Sequence, residues 1–290
     1  MYKLRSWIDI NKLDWRELSI NPNAIDLLEK NQEKINWWNL SKNNNAIHIL
    51  NKNLIKIDWK NLSSNISAIS ILEKNLDKIY WDFLSENKNA INILEKNKDK
   101  IHWYELSTNE NALHLLEENL CKVNWLALSE NINAIPILEQ NLNKIDFSSL
   151  SNNKNGVHIL EENVNKVDWF YLSSNPNAIN ILEQNLNKVN FKRLSLNHNA
   201  LHILEKNLNQ VDWDLLSQNP SAIYLLEKNQ KKINWRLLSE NPSIFELDYD
   251  SLKKRCNIFK EELIQKAFHP SRIQKYLDYG IDIFELDDYI

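Results

Sequence analysis

Residues 57–78 read IDWKNLSSNISAISILEKNLDK, and the same 22-residue pattern recurs from residue 13 to about residue 243 without an insertion or deletion. An aromatic stands at 15, 37, 59, 81, 103, 125, 147, 169, 191, 213 and 235, Trp in nine places and Phe at 147 and 191. Each is followed three residues later by Leu (Leu18 to Leu238), then by Ser (Ser19 to Ser239), and two further on by Asn (Asn21 to Asn241). A short, gapless period of this kind is the mark of a solenoid, in which a unit too small to bury its own apolar face stacks on its neighbours. The spacing predicts an all-α solenoid of helix-turn-helix repeats over 13–243, an N-terminal cap over 1–12 and a helical C-terminal cap or module over 244–290.

The first full unit, residues 13–34, carries the local signals. Asp14 is a helix N-cap, Glu17 completes a capping box, and Leu13 can close on Leu18 as a staple. The first helix is short enough to be partly 3₁₀. Asn21 then caps a second helix with Pro22 at its first position, a device that Pro176, Pro220 and Pro242 repeat. Ala24, Ile25, Leu27 and Leu28 share one arc, and the recurrent Ala points to close approach between units. Asn31 and its equivalents are expected to end that helix in the left-handed conformation. The Trp column is expected to supply much of the core. With packed helices about 8–10 Å apart, ten units give a contour on the order of 100 Å. Pro136 and Gly156 predict a kink near 131–160.

The ends differ. Trp7, Ile8 and Ile10 can cover the first Trp; beyond Pro242, Ile244 stands in the Ala column, and helices are expected over about 251–268 and 270–279, with Ile281, Ile283, Phe284 and Leu286 in a tail.

A net charge of −4 gives no basic balance that would draw the chain to nucleic acid or an anionic membrane. Neither a signal-peptide core nor a membrane span is evident, and Cys121 and Cys256 lie far apart; would-be glycosylation acceptors at Asn39 and Asn61 fall where the repeat needs a packed helix. The expectation is an intracellular protein.

The unit WxxLSxNPNAIxLLExNxxKIxW, fullest at 169–189 and 213–235, resembles a tandem-repeat family of giant nucleocytoplasmic DNA viruses of the mimivirus type, and KEELIQKAFHPSRIQKYLDYGIDIFEL at 260–286 looks like the tail of such proteins. The resemblance implies a role in protein interaction, in host cytoplasm or virion, and hands over no catalytic residue.

His48, His114, His158 and His202 lie two or more units apart, too far to share one zinc ion. The Glu29 column repeats one rung without a differentiated acid–base pair, and the Lys34 column is expected to pair with it. The serines have no His at constant spacing and are expected to bond to local carbonyls or turns. Lys253, Lys254 and Arg255 form the best basic cluster, which reads as a solvated face. No enzyme, metal or cofactor is expected.

The first-helix pairs equivalent to 16 and 17 are free of the stacking rule, yet they hold large rings. Interfaces favour such anchors, so Trp38, Phe83, Tyr104, Phe170 and Tyr171, with Lys192 and Arg193, are the candidate partner-binding stripe. The expected function is a non-enzymatic scaffold for a protein partner; the alternatives are a structural component of a viral particle and an adaptor that recruits a degradation machine through the C-terminal module.

Overall fold

A computed structural model describes residues 2–280, the side chain of Ile258 excepted. Among the described residues the fold is all-α apart from two three-residue strands, and the chain divides into Leu4–Phe245 and a smaller unit made of Met1–Lys3 and Glu246–Ile290.

The repeat in the larger unit is a first helix (Trp59–Ser64, for example), a second helix (Ile69–Leu72) and a turn, which is 3₁₀ in most units (Leu76–Lys78). The core is a ladder of leucines. Leu62, Leu72 and their equivalents are fully buried, as are Ala68 and its equivalents, while the Trp rings are half-buried and pack on this core from its edge. Leucine, and not tryptophan, therefore fills the centre. The Trp ring faces outward far enough to take a lysine: Lys78 Nζ lies 4.7 Å above the Trp59 ring, and the same stack recurs at Lys34 on Trp15 and Lys144 on Trp125. So the Lys column pairs with aromatic faces. The glutamates instead meet the next unit's histidine where one exists, as in His48 Nε2 to Glu29 Oε1 at 2.7 Å.

Adjacent units are joined by two polar ladders. Ser41 Oγ donates to Trp37 O and accepts from Asp58 N–H of the following unit. Asn65 Nδ2 donates to Ser41 O at 3.0 Å and to Asn43 O at 3.2 Å of the preceding unit, while its Oδ1 accepts from Ser67 N–H. The Asn column thus caps a turn within its unit and also ties that unit to its predecessor. Its buried amide is fully used, which explains why no other residue type occupies the column. The second helix begins later than expected, at Ile25 in the first unit. The Asn31 column is not left-handed either: Asn31 has φ −135° and ψ 52°, and its Nδ2 donates to Leu27 O.

No kink appears at 131–160. Pro136 sits in the first turn of Ile135–Glu139, where its missing N–H costs nothing. Gly156 has φ −87° and ψ 6°, like Ala134 at −82° and 6°, and the amide ladder runs on through Asn153 at 2.9–3.0 Å.

The two ends of the array meet. The Ser and Asn ladders that join neighbouring units also join the last to the first. Asp14 N–H donates to Ser239 Oγ at 2.9 Å, and Asn21 Nδ2 donates to Ser239 O and Asn241 O at 2.9 and 3.0 Å. Asn23 Nδ2 reaches Pro242 O, as Asn45 Nδ2 reaches Pro22 O. Trp7 packs edge-on against Trp235, at 6.4 Å between ring centroids, and Lys12 Nζ lies 4.8 Å over that same ring. Lys12 stands to Trp235 as Lys34 stands to Trp15. The Ile10–Lys12 turn is therefore the 3₁₀ turn of the eleventh unit, whose first helix is Trp235–Leu238. Leu4–Phe245 spans 242 residues, eleven periods of 22. Ile244, fully buried, takes the usual place of Ala, and Arg5 N–H donates to its carbonyl oxygen. The solenoid is a closed ring of eleven units rather than an elongated rod, and its N-terminal segment completes the last unit instead of covering the first Trp.

From Trp59–Ser64 through Phe191–Leu194, and again between Trp213–Gln218 and Trp235–Leu238, successive first helices lie closely against one another, whereas successive second helices are farther apart. In a ring the more closely spaced elements are the inner ones, so the first helices form the concave wall.

In the smaller unit, helices run over Tyr249–Ala267 and Pro270–Asp278, followed by Gly280 at φ 83°. Ile281, Ile283, Phe284 and Leu286 lie outside the described residues.

Candidate functional site: the concave wall

Along the first helices, residues equivalent to 18 and 19 are buried and the residue equivalent to 16 is exposed, or half-buried at Asp82 and Ser148, so 16 and its equivalents point away from the core, toward the ring axis. Residue 20, four positions on, shares that face. The residue at 17 behaves differently from a free outward position. Glu17, Asn39, Asn61, Ala127 and Ser149 are buried against the adjacent unit, and Asn61 Nδ2 donates to Trp38 O at 3.0 Å.

Of the residues singled out from the sequence, Trp38, Tyr104, Phe170 and Tyr171 are exposed by 46, 47, 45 and 37%. Phe83 is half-buried, with Lys60 Nζ 4.7 Å over its ring. Phe170 and Tyr171 meet edge to face at 5.3 Å, and the Arg193 guanidinium lies 4.9 Å over Phe170. Arg193 also donates to Ser174 Oγ at 3.2 Å, while Lys192 Nζ faces Asp212 Oδ2 at 3.8 Å. Phe170, Tyr171 and Arg193 therefore form one cluster. Trp38, Phe83 and Tyr104 stand at separate stations on the wall, Trp38 with Lys42 Nζ 4.4 Å above it.

Residues at position 20 escaped the sequence reading, although their four-residue offset from 16 was enough to find them. Glu86, Glu130 and Glu240 belong to this column, and burial in the wall pushes all three carboxyls up from the usual range. Glu86 is raised further by Glu105 and Asp82 and lowered by Lys42; Glu130 is raised further by Asp146. Asp82, Phe83, Glu86 and Glu105 line a recess of about 110 Å³. Glu240 is raised further by Glu17, which is itself bonded to Arg236 Nε at 3.0 Å across the junction of the last and first units.

Among the described residues no group of His, Cys, Asp and Glu is placed to hold a metal ion, and no helix is long and apolar enough to cross a membrane. No family model, curated protein or solved structure matches this chain.

Proposed function

We propose that the ring is a non-enzymatic scaffold that binds a protein partner on its concave wall. One observation carries this reading: Trp38, Tyr104, Phe170 and Tyr171 are exposed at positions where neither the leucine core nor the Ser and Asn ladders call for a ring. Exposed aromatic anchors of this kind dominate protein interfaces, each costing about 2 kcal/mol or more when truncated at a hot spot. The resemblance to repeat proteins of giant DNA viruses supports placing that partner in an infected cell or a viral particle. The test is affinity capture from host-cell lysate with the native chain and with a variant carrying Ser at 38, 104, 170 and 171. A partner retained only by the native chain supports the wall as the binding face; one retained equally by both refutes it.

The C-terminal helices favour a second reading. Phe259, Leu263, Ile264 and Phe268 are exposed on Tyr249–Ala267, an apolar face that suits an adaptor role for this unit. Removal of residues 248–290 would then abolish recruitment of the second protein while capture on the wall persists.

A further inference from the structure

Resting on the reading of the wall as a binding face, we infer that its occupant is a single α-helical segment of another protein threaded through the ring, with a basic face turned to units four to six.

Three observations lead there. The first is closure. A partner that reaches the concave wall of an open solenoid can lie in from the side, but here the junction of units eleven and one carries the same bonds as the junctions between other units. Access is along the axis.

The second is width. With packed helices about 8–10 Å apart, eleven on a circle place the first-helix axes about 14–18 Å from the centre; subtracting half of a 10–12 Å helix leaves a passage about 20 Å wide. One helix of about 10–12 Å diameter fits with its side chains against the wall. A folded domain of 100 residues, with a radius of gyration of about 13 Å, does not pass. The wall's own rings do not plug the passage, because Trp38, Tyr104 and Phe170 remain nearly half exposed.

The third is the distribution of charge. At positions equivalent to 16, 17 and 20, units four to six carry Asp82, Glu86, Glu105 and Glu130 and no basic residue. The arc across from it, units nine to one, is mixed, with Lys192, Arg193, Arg236 and Arg16 against Asp214, Glu240 and Glu17. An acidic arc complements a helix with one basic face, and it disfavours a nucleic-acid strand, which is negative on every side. Tyr104 supplies apolar contact within the acidic arc, and Phe170 supplies it two units beyond that arc.

The test uses a 25-residue helical peptide with Lys along one face and uncharged residues elsewhere, labelled with a fluorophore and titrated with the full chain. The controls are an isomer with the charges scattered around the helix, a version with a folded domain of about 100 residues fused to each end, and a single-stranded oligonucleotide. The expected result is binding at least tenfold tighter than the scattered isomer. That binding falls at least tenfold when both ends are blocked, and at least tenfold in the ring carrying Asp82→Asn, Glu86→Gln, Glu105→Gln and Glu130→Gln, checked by circular dichroism to be folded. Equal binding of the blocked peptide overturns threading; if Tyr104→Ser with Phe170→Ser still abolishes that binding, the wall stands as a side-on binding face. Equal binding of the scattered isomer, or preference for the oligonucleotide, overturns the charge argument. Absence of binding by every peptide overturns the inference, and the lysate capture then decides the scaffold reading separately.

Discussion

Changing Asn21 to Ala should destabilise the array as much as changing Asn109 to Ala, and the comparison distinguishes a ring from a row. Asn109 lies mid-array and donates to Ser85 O at 2.9 Å and Asn87 O at 3.0 Å. Asn21 belongs to the first unit and makes the same two bonds to Ser239 O and Asn241 O, at 2.9 and 3.0 Å. Both side chains are buried, and both accept one local bond, from Asn111 and Asn23 N–H respectively. A hydrogen bond contributes about 0.5–1.5 kcal/mol net, and a buried group left unmade costs about 1–3 kcal/mol. Losing two donors to buried carbonyls therefore costs about 3 kcal/mol at either site. In a row Asn21 would have no predecessor, only its local bond would be lost, and the cost would be about 1 kcal/mol. Urea unfolding followed by circular dichroism measures both variants on one scale. An Asn21→Ala loss less than half that of Asn109→Ala would refute the reasoning.

Further consequences follow from the wall and the stacks. Glu240 has a folded-state pKa raised by burial and by Glu17, so its contribution to stability is present at low pH and is lost as pH rises through the folded value. Glu240→Gln should accordingly raise the melting temperature at pH 8 and leave it nearly unchanged at pH 4; an equal shift at both would contradict the assignment. Lys144→Met removes the cation above Trp125 and should cost about 0.5–1 kcal/mol, with no effect in thermal melts counting against the stack. Gly156→Ala would bring a Cβ to 2.5 Å from Leu150 Cδ1, the end of a side chain that can turn away, at a backbone conformation that alanines share elsewhere. Its effect on urea stability should stay within about 1 kcal/mol, and a loss of more than twice that would show that Leu150 cannot move.

The repeat, its two helices and its buried arc were legible because they arise from periodicity: a Leu column and an Ala column on one face need no tertiary knowledge. The all-α solenoid follows from these residues alone. The Asn21 column was legible only as a cap, since sequence shows the turn a side chain closes and not the unit whose carbonyls its amide reaches. The Lys34 column was assigned to glutamate on charge, whereas the half-buried Trp15 ring offers a nearer face. Pro136 was read as an interior proline because the helix start was placed too early, three residues ahead of Ile135. Closure was the largest omission, although its trace was present: Lys12, Leu13 and Asp14 stand in register with Lys34, Ile35 and Asn36, a final 3₁₀ turn ahead of the first aromatic. Curvature depends on the small difference in spacing between inner and outer helices, and no column encodes that difference. On the wall, the exposed rings at 38, 104, 170 and 171 were found from their type, but the residues at position 20 were overlooked because glutamate and lysine there look like any solvated face.

The most direct measurement is the distance between spin labels on units one and nine, placed at Arg16→Cys and Lys192→Cys in a chain with Cys121→Ser and Cys256→Ser, read by pulsed dipolar resonance. Three unit steps around a closed circle of helices packed 8–10 Å apart give about 20–30 Å, whereas eight steps along an open row give more than about 60 Å. A single population at the short distance is the result a ring predicts. A dominant population at the long one would contradict it and return the protein to an open solenoid.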